Sequence, residues 1–172
     1  MKNLMVYYRI VSYIIFVLAV IFSFFDLVAI LIALANPFIL INVFVLTCVI
    51  IYSFISFSFF YNGIQKGRQS KPGIKDWIKV NAYVSIVFSI LSVIQCVYFL
   101  SSAATQADVV SQFNKMEATV KTPGFSAESF MHIIKGLLCF LALYGLLLLS
   151  HIVITLRFVK LYEYLFGKKV EV

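Results

Sequence analysis

At 172 residues the chain has the length of one domain, and it is 63% hydrophobic and 12% charged, where soluble domains average about 45–50% and about 25%. With a mean hydropathy of +1.03, that much apolar surface cannot be hidden from water in a globule this small. This excludes a soluble enzyme, a disordered segment and a secreted disulfide scaffold. The net charge of +7 would fit a nucleic-acid binder in a soluble protein, but here the basic residues sit at the ends of apolar runs, and no nucleic-acid partner is expected.

A membrane helix needs about 20 mainly apolar residues. Four runs qualify: Ile10 to Ala35, Phe38 to Phe60, Ile78 to Leu100 and Ile133 to Phe158. The first has 26 residues, about 39 Å of helix, so it spans with tilt. Ala33-Leu34-Ala35 resembles a signal-peptidase site. However, a signal core is about 7–15 residues, and this run is longer and contains Asp26, so the span is expected to be retained. Only Asn36 and Pro37 separate spans one and two, which predicts a tight antiparallel hairpin, since proline discourages helix continuation. Asn62-Gly63 predicts the end of span two, and Lys71-Pro72-Gly73 a turn before span three. Residues 61–77 form the connecting loop.

Lysine and arginine distribution predicts the orientation. Eleven of the 14 basic residues fall on the side that holds both termini and the 61–77 loop; only Lys115, Lys121 and Lys135 fall on the other. Both termini are therefore expected in the cytoplasm. Lys66, Arg68, Lys71 and Lys75 are candidate contacts to anionic lipid. Tyr7, Tyr8, Tyr61, Trp77, Tyr98, Tyr162 and Tyr164 fall at span ends, as in an interfacial aromatic belt.

The long segment 101–132 is expected on the outer side. Val109, Phe113, Met116 and Val120 are spaced 4, 3 and 4, which puts them on one face of an amphipathic helix over Thr105 to Val120. Thr122-Pro123-Gly124 ends it, and Ser126 is placed to cap the following helix, with Glu128 in its first turn. The apolar face either lies on the bilayer or docks a partner.

Within the spans, small and polar residues form stripes. Ser12, Ala19, Ser23, Asp26 and Ala33 share one face of span one. Ala82, Ser85, Ser89, Ser92 and Cys96 share one of span three, bordered by Gln95. Span two offers Asn42, Ser53 and Ser56, and span four Tyr144, His151 and Thr155. Such faces let helices approach closely and bond across in lipid. Asp26 stands out, because an aspartate near a helix centre costs about 2.5–3.5 kcal/mol on insertion scales. By depth, Asn42, Gln95 and Tyr144 are its candidate partners in an intramembrane polar site, with roles as helix glue, an ion or proton site, or a subunit contact. His151 lies in the inner half of its span and is expected to be a poor partner for it. Arg9 to Val17 and Lys79 to Val87 both begin basic with a tyrosine four residues on, a short similarity of the kind that apolar strings produce by chance.

No catalytic motif is present. Gly63 and Gly67 near Lys66 do not match a phosphate loop, and no nucleophile has a base and an orienting group beside it. Glu128 and His132 share a helix face, but two ligands do not make a metal centre. His151 has no second histidine at its depth for haem. Cys48, Cys96 and Cys139 all lie in apolar runs and are expected to pack rather than bridge. No cofactor or metal is expected.

The expected architecture is all-α: a single membrane domain over residues 1–172, a four-transmembrane-helix antiparallel bundle with an extracytoplasmic amphipathic helix between spans three and four. The expected function is a non-enzymatic scaffold or accessory subunit in a bacterial cytoplasmic membrane, associated with another membrane protein or with its own copies. The alternative is a small oligomeric channel or transporter with Asp26 as the ion- or proton-responsive group. Against the alternative, spans one to three hold no internal glycine or proline, whereas broken helices commonly mark transport sites.

Overall fold

The computed structural model describes residues 2–120 and 126–167; the side chains at 2, 72 and 116–120 are outside the description. Every regular element among the described residues is helical. The long helices are α1 (Lys2–Ala35), α2 (Leu40–Ser58), α3 (Pro72–Ser101), α4 (Ala103–Val120) and α5 (Ala127–Leu161). Four stretches, Asn3–Ala35, Pro37–Gln65, Gly73–Ser101 and Ala127–Leu161, are long and apolar enough to cross a membrane.

The helices run past the apolar runs that predict them. α1, α3 and α5 each begin about one and a half to two turns before their spans, because helical propensity and backbone hydrogen bonding do not stop where hydrophobicity does. The Asn36-Pro37 link behaves as its residues dictate. The side chain of Asn36 accepts from the amide of Phe38, and Pro37 opens a 3₁₀ turn, Pro37–Ile39, that leads into α2. Contacts between α1 and α2 pair Tyr13 with Phe57, Phe16 with Phe54, and Asp26 with Thr47. Rising numbers on one helix meet falling numbers on the other, as in an antiparallel pair.

Asn62-Gly63 does not end the second helix. The chain continues through it as a π-helical segment, Phe59–Gln65, and stops at Gly67, whose φ of 63° is the left-handed conformation that suits glycine. Gly63 is buried instead, with Phe59 and Leu165 beside it, so its small size serves packing. A 3₁₀ turn, Glu163–Phe166, folds back onto this region: Phe166 stacks on Phe59 at 5.1 Å, and the amide of Ser70 donates to the carbonyl of Leu165.

The chain divides into two compact units. The first holds α1, α2, α3 as far as Phe88 and α5 from Leu147 onward; the second is Ser89–Leu146. In the second unit, Ser126 accepts from the amide of Ser129 and caps α5, with Glu128 in the first turn. Phe113 of α4 stacks on Phe130 of α5 at 4.6 Å. Gly145 of α5 lies against the backbone of α3: a Cβ there would come within 3.0 Å of the carbonyl oxygen of Ser89. Small residues at both positions permit this approach.

Candidate functional site

The first unit is built around buried polar groups from three helices. α1 contributes Tyr8 and Ser12, α2 contributes Tyr52, and α5 contributes His151 and Thr155; none of the five is more than 1% exposed. They fall there because each helix carries a small or polar residue on its inward stripe, and a polar group in lipid must find its partner inside the protein.

Both nitrogens of His151 are engaged. Nε2 lies 2.9 Å from Oγ of Ser12, and Nδ1 lies 2.9 Å from the hydroxyl of Tyr52. Ser12 donates its single proton to the carbonyl of Tyr8 at 2.7 Å, so it accepts from Nε2–H. In the neutral ring Nδ1 is then the acceptor for Tyr52. The Tyr52 hydroxyl is also 3.0 Å from Oγ1 of Thr155, which in turn is 3.1 Å from the Tyr8 phenol and donates to the carbonyl of His151 at 2.8 Å. The rings close the cluster. Tyr8 stacks on His151 at 4.9 Å with 13° between planes, and meets Phe60 and Phe158 edge-on. Tyr8 is thus a core residue and not part of an aromatic belt; Tyr7, Tyr61, Trp77, Tyr98 and Tyr164 are exposed and Tyr162 is half-buried.

Asp26 is buried, and its Oδ2 accepts from Oγ1 of Thr47 at 2.8 Å. Its Oδ1 has no hydrogen-bond partner among the described residues. Thr47 also reaches the carbonyl of Val43 at 2.9 Å, so its one proton has a second acceptor. Asn42 is exposed and does not supply the hydrogen bond expected of it. Gln95 is exposed and Tyr144 buried, both in the second unit. Of the stripes, Ala82, Ser85, Ser89, Ser92, Cys96, Ser53 and Ser56 are buried. Cys96 Sγ lies 4.0 Å from Cys139 Sγ with both thiols free.

Tyr52 and Thr47 lie outside the polar stripes that the sequence marks. Both had a signal. A tyrosine in mid-span needs a partner for its hydroxyl. Asp26 stands ten residues before Asn36 and Thr47 ten after Pro37, which puts the two at one depth in a hairpin.

On the expected docking face, Phe113 is half-buried against Phe130 and Val109 is half-buried; the side chains of Met116 and Val120 lie outside the described residues. Among the expected lipid contacts, the Lys66 ammonium sits 4.1 Å over the Tyr61 ring. Arg68 and Lys71 are exposed, and Lys75 pairs with Glu163. That pairing holds the Glu163 carboxyl below its usual range. Glu128 and His132 are 3.9 Å apart and exposed; no group of three or more metal-ligating side chains occurs among the described residues. No protein-family model, curated protein or solved structure matches the chain.

Proposed function

We propose that the chain is a non-enzymatic, multi-pass membrane protein that acts as a scaffold or accessory subunit, with both termini cytoplasmic and α4 on the outer side of a bacterial cytoplasmic membrane. In this reading the four long helices form an antiparallel bundle, held by a packed interior whose polar groups are paired within it. The observation that carries it is the His151 cluster: both imidazole nitrogens are taken up by hydroxyls of the protein's own helices. A histidine so held locks helices rather than meeting a substrate. Function then rests on the surface that the bundle presents, to another membrane protein or to further copies of itself. The test is cross-linking in native membranes followed by purification. A partner at fixed stoichiometry supports the reading; a chain that crosslinks to nothing contradicts it.

A second reading has one observation behind it. Burying Asp26 costs about 2.5–3.5 kcal/mol, whereas a hydrogen bond inside a membrane protein averages about 0.6 and reaches about 1.7 kcal/mol. The single bond to Thr47 does not offset that cost. A carboxyl kept at a loss, with Oδ1 unpartnered among the described residues, fits an ion- or proton-responsive group in a small oligomeric channel or transporter. Asp26→Asn keeps an acceptor for Thr47 and removes the ionisable group. In this second reading it abolishes proton- or cation-driven flux into liposomes; flux that survives unchanged rules Asp26 out. Asp26→Leu, which lets Thr47 return to Val43, is expected to leave thermal stability unchanged or raised. A fall of several degrees would make Asp26 structural glue.

A further inference from the structure

At one end of the first unit a cleft of about 370 Å³ opens between the start of α3 and the end of α5. Three lysines and one carboxylate line its polar side: Lys75 and Lys79 from α3, Lys160 from α5, and Glu163 just beyond it. Tyr83, Leu156 and Val159 complete the lining with apolar surface. The cleft falls in the volume range of small-ligand sites, about 300–1,000 Å³. Lys75 is engaged by Glu163, while Lys79 and Lys160 make no ion pair among the described residues. Both still act on the Glu163 carboxyl, adding to the effect of Lys75 in holding it below its usual range, and all three lysines line the one cleft. The lining carries two positive charges in excess.

We propose that this cleft binds the phosphate-bearing headgroup of an anionic phospholipid, with Lys79 and Lys160 on the phosphate and Tyr83, Leu156 and Val159 against the first carbons of the lipid. The arrangement has two parts, and the ligand needs both. Lysines whose stems lie along apolar surface and whose heads reach water suit the boundary between hydrocarbon and headgroup. Lys75 and Lys79 occupy the first turns of α3, Tyr83 lies one turn deeper, and Lys160 stands at the last turn of α5, which places the charges at the ends of two apolar spans. Free phosphate would satisfy the lysines and leave the apolar wall unused; a neutral lipid would do the reverse. Of the basic residues marked by the sequence, only Lys75 lines the cleft, and its charge is already met by Glu163. Lys79 and Lys160 were legible in the sequence only as topology signals.

The test uses the full chain in mild detergent, presented with phosphatidylglycerol and phosphatidylcholine of the same acyl chains and read by native mass spectrometry. Wild type is expected to retain phosphatidylglycerol preferentially. A lysine near a membrane surface contributes about 5-fold in affinity for anionic lipid, so Lys79→Gln with Lys160→Gln is expected to lower that retention by about 25-fold. Lys79→Arg with Lys160→Arg keeps it. Glu163→Gln removes the one negative charge and raises it, which provides a readout even if the double glutamine variant fails to fold. Equal retention of the two lipids by wild type would overturn the proposal. So would a glutamine variant that keeps the preference, or a Glu163→Gln variant without a gain. If inorganic phosphate displaces phosphatidylglycerol as readily as a second phosphatidylglycerol does, the apolar wall contributes nothing and the site is one for free phosphate.

Discussion

His151→Ala is expected to lower the stability of the protein by about 3 kcal/mol or more. Removing a buried ring leaves a cavity, and large-to-small aromatic changes cost about 3–5 kcal/mol. The two hydrogen bonds lost with it, to Ser12 and Tyr52, add only about 0.6 kcal/mol each on average. Packing therefore outweighs polarity, and a graded series separates the two. His151→Phe restores the ring and its stacking on Tyr8 but removes the donor to Ser12 and one of two acceptors of the Tyr52 hydroxyl, which keeps Thr155, so a loss of about 1–2 kcal/mol is expected. Reversible unfolding in mixed micelles measures both. If His151→Phe destabilises as much as His151→Ala, the hydrogen bonds and not the ring hold the three helices.

The second large effect is expected at Gly145. A Cβ at that position meets the backbone of Ser89, which cannot move aside as a side chain can. Gly145→Ala already places an atom within 3.0 Å of the Ser89 carbonyl oxygen. Gly145→Leu forces α3 and α5 apart in the second unit, and overpacking of this kind costs about 1–3 kcal/mol or more. Gly136→Leu on the same helix is the control, since a Cβ there meets nothing within 4 Å. The thermal midpoint is expected to fall sharply for Gly145→Leu and to hold for Gly136→Leu. Equal midpoints would mean that the close approach is dispensable.

The apolar runs and their stripes were legible because they rest on local periodicity. Ser12, Ala19, Asp26 and Ala33 share a face by spacing alone, and all four are buried. What was not legible depends on pairing between distant parts of the chain. Asn62-Gly63 reads locally as a helix stop, yet the packing of Leu165 and Phe166 against this region keeps the chain helical to Gln65. Tyr8 reads as an interfacial tyrosine until His151 is brought onto its face. Asn42 is the span-two partner expected for Asp26, yet the carboxyl bonds Thr47, which stands as far past the Asn36-Pro37 turn as Asp26 stands before it. The cleft at Lys79 and Lys160 joins residues 81 positions apart, and no pattern within either helix marks it.

Under the proposed function the protein works as a subunit, through its surface, and not as a transporter. The most direct measurement is its composition in native membranes: cross-linking, purification in mild detergent, and mass determination of the intact assembly beside wild type and Asp26→Asn. The expected result is a partner membrane protein, or a defined number of its own copies, present at fixed stoichiometry and unchanged by Asp26→Asn, with no flux when the assembly is placed in liposomes. An assembly that drives proton or cation flux, lost on Asp26→Asn, would contradict it.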